Sequence, residues 1–183
     1  MNATNTAPRS QSVRKLTSSG VCLALCMLLP FLTGQVPQFG AALSPMHIPV
    51  LLCGFIAGPF YAAIVGFIAP LLRFMLFGMP PLMPIGAAMC FELAVYGLVS
   101  GLLYRALPKN IGSIYVSLIG AMLLGRIVWG IARWTISGVT GIPFTFELFM
   151  AGAFINAIPG IILHIVLIPV IVMALKKADL LLE

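Results

Sequence analysis

The chain has 183 residues, of which 61% are hydrophobic and 8% charged, far below the roughly 25% charged residues of a soluble domain. Ten basic and four acidic side chains cannot cover a soluble surface of this size, so the bilayer is its solvent and a separate soluble catalytic domain is excluded. The net charge of +6 sits mostly at the edges of apolar runs, where it reports topology and not a nucleic-acid partner.

Residues 1–15 are polar and lack an Ala-x-Ala cleavage pattern after a short apolar core, so they are expected to form a retained cytoplasmic tail. Beyond it, spans are predicted near Leu16 to Leu32, His47 to Gly58, Phe60 to Phe77, Leu82 to Tyr104, Ile111 to Ser137 and Phe149 to Leu175. The predicted fold is therefore one all-α integral membrane domain, six transmembrane helices in a bundle over 16–175, with 176–183 as a second tail. The second run is short, and only Gly58-Pro59 separates it from the third. That spacing calls for a tight turn, or for a single bent re-entrant element.

Basic residues set the orientation. Arg9, Arg14 and Lys15 precede the first span, Arg105 and Lys109 lie between the fourth and fifth, and Lys176 and Lys177 follow the sixth. With six spans all three clusters fall on one side, which the positive-inside rule makes cytoplasmic, together with both termini. The outer connections, Thr33 to Met46, Gly78 to Pro81 and Gly138 to Leu148, carry no Lys or Arg and are rich in Gly and Pro. Turn chemistry explains that composition, and so does a lid over an outward-facing pocket.

Inside the spans lie Arg73, Glu92, Arg126, Arg133 and His164. A charge at the bilayer centre costs at least ~2.5 kcal/mol, so these side chains are expected to face the bundle interior. Arg126 and Arg133 are seven apart and share a face of the fifth span with Gly130 and Ser137. Glu92 and Tyr96 share a face of the fourth, and Asn156, Gly160 and His164 form a polar stripe on the sixth. On the assigned topology, Arg133, Arg73, Glu92 and Asn156 fall in the outer half of the membrane, with Arg126 near the middle and His164 deeper. A cavity open to the outside would hold them, and an anionic or strongly hydrogen-bonding small ligand would balance the surplus cations. Two alternatives stand beside this: Glu92 with one arginine as a buried structural pair, and Arg73 snorkelling outward from its helix end.

Missing motifs narrow the function further. The chain contains no Gly-x-x-x-x-Gly-Lys-[Ser/Thr] phosphate loop, no His-Glu-x-x-His, no Gly-x-Ser-x-Gly elbow and no paired intramembrane aspartates. It is therefore not expected to be an enzyme, and no cofactor or metal is expected. Cys22, Cys26, Cys53 and Cys90 sit inside apolar runs with no metal-like spacing and read as small core residues.

The stretch Met46-His47-Ile48-Pro49-Val50-Leu51-Leu52-Cys53-Gly54-Phe55-Ile56-Ala57-Gly58-Pro59 resembles the second span and following turn of the substrate-binding S components of energy-coupling factor transporters. The resemblance extends along the chain. Gly20-Val21-Cys22-Leu23-Ala24 is similar to that family's Ala-x-x-x-Ala docking motif, with Gly in the first place. Two small residues four apart leave a groove for a partner helix, although Ser18, Cys22 and Cys26 form a parallel small stripe that would serve internal packing. The resemblance implies a six-helix protein of a prokaryotic plasma membrane that captures a vitamin-like micronutrient near its outer surface. It implies further partners: a transmembrane scaffold subunit, docked through Gly20 and Ala24, and two ATP-binding subunits that supply the motor this chain lacks.

The candidate substrate-binding residues are Arg126, Arg133, Glu92, Arg73, Tyr96, Asn156, His164 and His47. Three interior arginines place a carboxylate or phosphate-bearing vitamin such as pantothenate first, ahead of a pyridoxine-like or pyrimidine ring. A self-sufficient secondary carrier or small-solute channel is the competing class. It would call for inverted repeats or a proton relay, and a single intramembrane carboxylate is thin for ion coupling.

Overall fold

The computed structural model describes residues 8–33, 40, 42–178 and 181, and every element among them is helical. Helix α1 (Pro8–Leu28) runs on into a tight 3-10 turn, Leu29–Thr33, and α2 (His47–Ile56) is followed by α3 (Pro59–Phe77). A widened turn, Leu82–Gly86, leads into α4 (Ala87–Ala106), and α5 (Ile111–Thr140) is the longest helix. The short α6 (Phe146–Met150) passes through a second widened turn, Ala151–Ile155, to α7 (Ile158–Lys177). The expected outer segment Gly34 to Phe39 lies outside the described residues.

The boundaries follow local chemistry. Pro59 opens α3, where a missing N–H costs nothing, and Gly78 closes it in the left-handed conformation (φ 70°). Asn110 caps α5, its Oδ1 accepting from the Ser113 amide at 2.8 Å and from the Ser113 hydroxyl at 2.9 Å. The α2–α3 turn depends on Gly58 at φ 96°, a conformation that side chains resist.

Five helical stretches are long and apolar enough to cross a membrane: Gln11–Leu32, Pro59–Phe77, Leu82–Ala106, Ile111–Thr140 and Phe146–Lys177. Many of their large apolar side chains point outward, among them Phe60, Met75, Leu102, Ile127 and Val166. Such surfaces suit lipid and not water. The second expected span is different in kind. Helix α2 has 10 residues, and all of them from His47 to Phe55 are buried. At about 15 Å it is too short to cross alone and is enclosed by protein on every side.

Helix α4 is central, packing against α2, α3 and α5. Its contact with α3 is close because glycine stands on both sides. A Cβ on Gly66 would meet the Leu93 carbonyl, and one on Gly97 would meet the Ala62 backbone at 2.5 Å. Leu51, Leu93, Tyr96, Leu118 and Ile168 fill the core between these helices. The packing of α4 against α2 and α5 brings the polar side chains of the interior together.

Candidate functional site

A cavity of about 450 Å³ lies at the end of the bundle where α3 stops and α4 begins, within the 300–1,000 Å³ usual for small-molecule sites. Helix α5 supplies one wall through Arg126, Trp129 and Arg133. The spacings of three and four residues put all three on one face. Opposite them, α2 contributes His47, α3 contributes Arg73, and α4 contributes Met89 and Glu92. The connection after α3 adds Met79, Pro80 and Pro81, and the one after α5 adds Phe144 and Leu148. All three expected outer connections thus provide wall residues, the first through Gly40, Ser44, Pro45 and Met46.

The floor is a buried charge cluster. Glu92 Oε1 lies 3.2 Å from Arg126 Nη1 and 3.5 Å from His47 Nε2, and all three residues are almost fully buried. Neither contact has hydrogen-bond geometry. Glu92 Oε1, both ring nitrogens of His47 and Arg126 Nε are buried without a hydrogen-bond partner. Buried polar atoms are normally satisfied, so the floor has both donor and acceptor capacity left over.

The remaining arginines differ from Arg126 and from each other. Arg73 does not snorkel outward: it is 4% exposed, its Nη1 donates to the Met27 carbonyl at 2.8 Å, and Phe31 and Phe77 flank its guanidinium at 5.3 and 5.2 Å. It donates to a carbonyl in the last turn of α1 and gains cation–π contacts on two sides. Arg133 is half-buried, with its guanidinium 4.9 Å from the Phe144 ring centroid and its Nε without a hydrogen-bond partner. Among the described residues no carboxylate lies within ion-pair distance of Arg73 or Arg133.

Of the eight sequence candidates, His47, Arg73, Glu92, Arg126, Arg133 and Asn156 line the cavity, whereas Tyr96 and His164 stand behind it. Tyr96 is 1% exposed and packs edge-on against the His47 ring at 5.3 Å, with Gly125 of α5 leaving room for its own ring. His164 is 1% exposed and stacks on His47, centroids 6.1 Å apart. These two side chains therefore orient His47 from behind. On the polar stripe of the last helix, Gly160 meets the backbone of Ala42 and Leu43 closely. On the α5 face, Gly130 receives the Phe149 ring, and the Ser137 hydroxyl donates to the Ile142 carbonyl at 2.5 Å, closing the helix end.

Sequence reasoning did not single out Trp129, Met89 or Phe144. Trp129 carried a usable signal, because it falls between Arg126 and Arg133 on their common face. Phe144 carried none, since its place depends on how the loop after α5 folds back against Trp129 and Arg133.

The two small residues of α1 face outward. Gly20 and Ala24 are exposed, and a Cβ on Gly20 would meet nothing within 4 Å. The parallel positions Cys22 and Cys26 are buried against α2, with Cys26 Sγ donating to the Met46 carbonyl at 3.6 Å and Cys53 Sγ 3.7 Å from Ser19 Oγ. The internal stripe and the open groove are therefore different faces of one helix.

No curated protein and no solved structure matches the chain. A family profile described as ECF transporter, substrate-specific component, matches residues 14–172, a stretch that takes in the cavity and nearly all of the helices around it. Helices long and apolar enough to cross a membrane, packed around a small-molecule cavity, fit that description, and on the match the chain belongs to the substrate-specific components of ECF transporters.

Proposed function

We propose that this protein is the high-affinity capture subunit of an ATP-driven uptake system for an anionic, B-vitamin-type micronutrient, pantothenate being the first candidate. The observation that carries the anionic assignment is Arg133, a cation on the cavity wall with no carboxylate in ion-pair distance among the described residues and an unsatisfied buried Nε. Arg73 adds a second positive charge to the same cavity. A cation left unpaired beside lipid is costly, and an anionic ligand offsets that cost on binding.

In this reading the chain forms one integral domain of a prokaryotic plasma membrane, with both termini and the Arg105 to Lys109 connection cytoplasmic. Helix α2, enclosed by its neighbours and followed by the Gly58-Pro59 turn, counts as the second of six crossings. Arg105, Lys109, Lys176 and Lys177 support the orientation, since they gather at one end of the bundle: Lys176 Nζ donates to the Lys109 carbonyl at 2.6 Å. The open groove of Gly20 and Ala24 receives the transmembrane scaffold subunit, and two ATP-binding subunits supply the energy. The proposal is tested by affinity purification of the tagged protein from its host, followed by titration with a vitamin panel. Co-purifying ATP-binding subunits and a sub-micromolar anionic ligand are expected. ATP-independent uptake by the isolated chain in vesicles would overturn it.

A further inference from the structure

Helix α5 places two arginines on one cavity wall in different electrostatic states. Arg126 and Arg133 are seven residues apart on an uninterrupted helix, a separation of about 10 Å along its axis. Arg126 is neutralised by Glu92 at 3.2 Å, whereas Arg133 meets the face of Phe144 and no carboxylate among the described residues. We propose that the cavity takes an elongated, two-ended ligand, with an uncharged hydrogen-bonding head on the floor at Glu92 and His47 and an anionic group about 10 Å away at Arg133.

The chemistry of each end follows from its unsatisfied atoms. At the floor, Glu92 Oε1 is an acceptor, Arg126 Nε a donor, and the two His47 nitrogens are further buried polar atoms without a partner. Their complement is a group that both donates and accepts, such as an alcohol, an amide or a lactam edge. A second anion is disfavoured there, because Glu92 repels it and Arg126 is already paired. At the rim, Arg133 brings a cation with an unpartnered Nε and no carboxylate in ion-pair distance among the described residues, and a carboxylate or phosphate satisfies it. Trp129 lies between the two ends, three residues beyond Arg126 and four before Arg133, with Met89 across the cavity. The middle of the ligand is accordingly apolar or flat. A compact aromatic acid, with its carboxylate directly on the ring, is too short to reach both ends.

This inference rests on the reading of the chain as a capture subunit, and its test separates the two. The purified full-length protein is titrated calorimetrically with pantothenate and biotin, each carrying a polar head and a distant carboxylate. Their carboxylate-free counterparts, panthenol and biotinamide, follow, with nicotinate as the compact acid. At least one two-ended acid is expected to bind about tenfold to a hundredfold more tightly than its neutral counterpart. That preference should vanish in Arg133→Gln, while His47→Asn weakens acid and counterpart alike. The inference is overturned if nicotinate binds as well as the two-ended acids, if the preference survives Arg133→Gln, or if no member of the panel binds. Recovery of ATP-binding subunits with the same preparations is scored independently, so a capture subunit with a one-ended ligand is distinguished from a protein that is no capture subunit.

Discussion

Arg126 Nη1 on α5 lies 3.2 Å from Glu92 Oε1 on α4, and the two side chains are 9% and 2% exposed. The pair joins the central helix to the longest one at the cavity floor, so it contributes to structure and site together. Removing one partner leaves an uncompensated buried charge, a change that costs about 3 to 5 kcal/mol. Glu92→Gln and Arg126→Gln should therefore each lower the unfolding temperature in detergent. The double variant should recover much of that loss, because neither charge is then stranded. Additive losses in the double-mutant cycle would show that the two side chains act independently.

Arg133 stands apart from that pair, and its replacement is expected to touch binding alone. Loss of one charge-assisted hydrogen bond, about 1.5 to 3 kcal/mol, predicts a roughly tenfold to hundredfold weaker Kd for the anionic ligand in Arg133→Gln. The unfolding temperature of the ligand-free protein should stay near that of the wild type. Unchanged affinity for every vitamin tested would remove the basis of the anionic assignment.

The close crossing of α3 and α4 is expected to tolerate no added volume at Gly66. A Cβ there meets the Leu93 carbonyl, which belongs to a helix backbone and cannot yield. Overpacking of this kind typically costs about 1–3 kcal/mol, so Gly66→Ala should destabilise the protein measurably in a thermal unfolding series. If it unfolds at the wild-type temperature, the helices are less tightly crossed than they stand here.

The opposite outcome is expected on the outer face of α1. Gly20→Leu and Ala24→Leu add volume where nothing within the chain opposes it, so stability and ligand binding by the isolated protein should persist. Transport and recovery of the scaffold subunit should fall, since a small-residue groove admits a partner helix only while it stays small. Loss of binding and folding together would show that this face packs internally.

Topology is tested with single cysteines after replacement of the four native ones. Membrane-impermeant reagents are expected to modify probes at Met79 and Thr140 in intact cells but not one at Pro108. Pro108 serves as the inner probe because the neighbouring Asn110 side chain caps α5 and is left in place. Outside labelling at Pro108 would reverse the orientation.

The membrane class, the basic clusters and the inward polar residues were legible in the sequence because each depends on local composition and on the cost of charge in lipid. Helical period placed Arg126 with Arg133 and Glu92 with Tyr96, since a face is a property of one helix. Period says nothing of what stands opposite that face. Only the packing of α4 against α5 and α2 decided that Glu92 pairs with Arg126 and not with Arg133, and that Tyr96 and His164 back His47 and do not reach the cavity. The burial of α2, read from its apolar run as a span, likewise reflects enclosure by neighbouring helices and not its own residues. Local energetics selected which residues turn inward. Contacts between segments far apart in the chain selected their partners, and the site's chemistry depends on those partners.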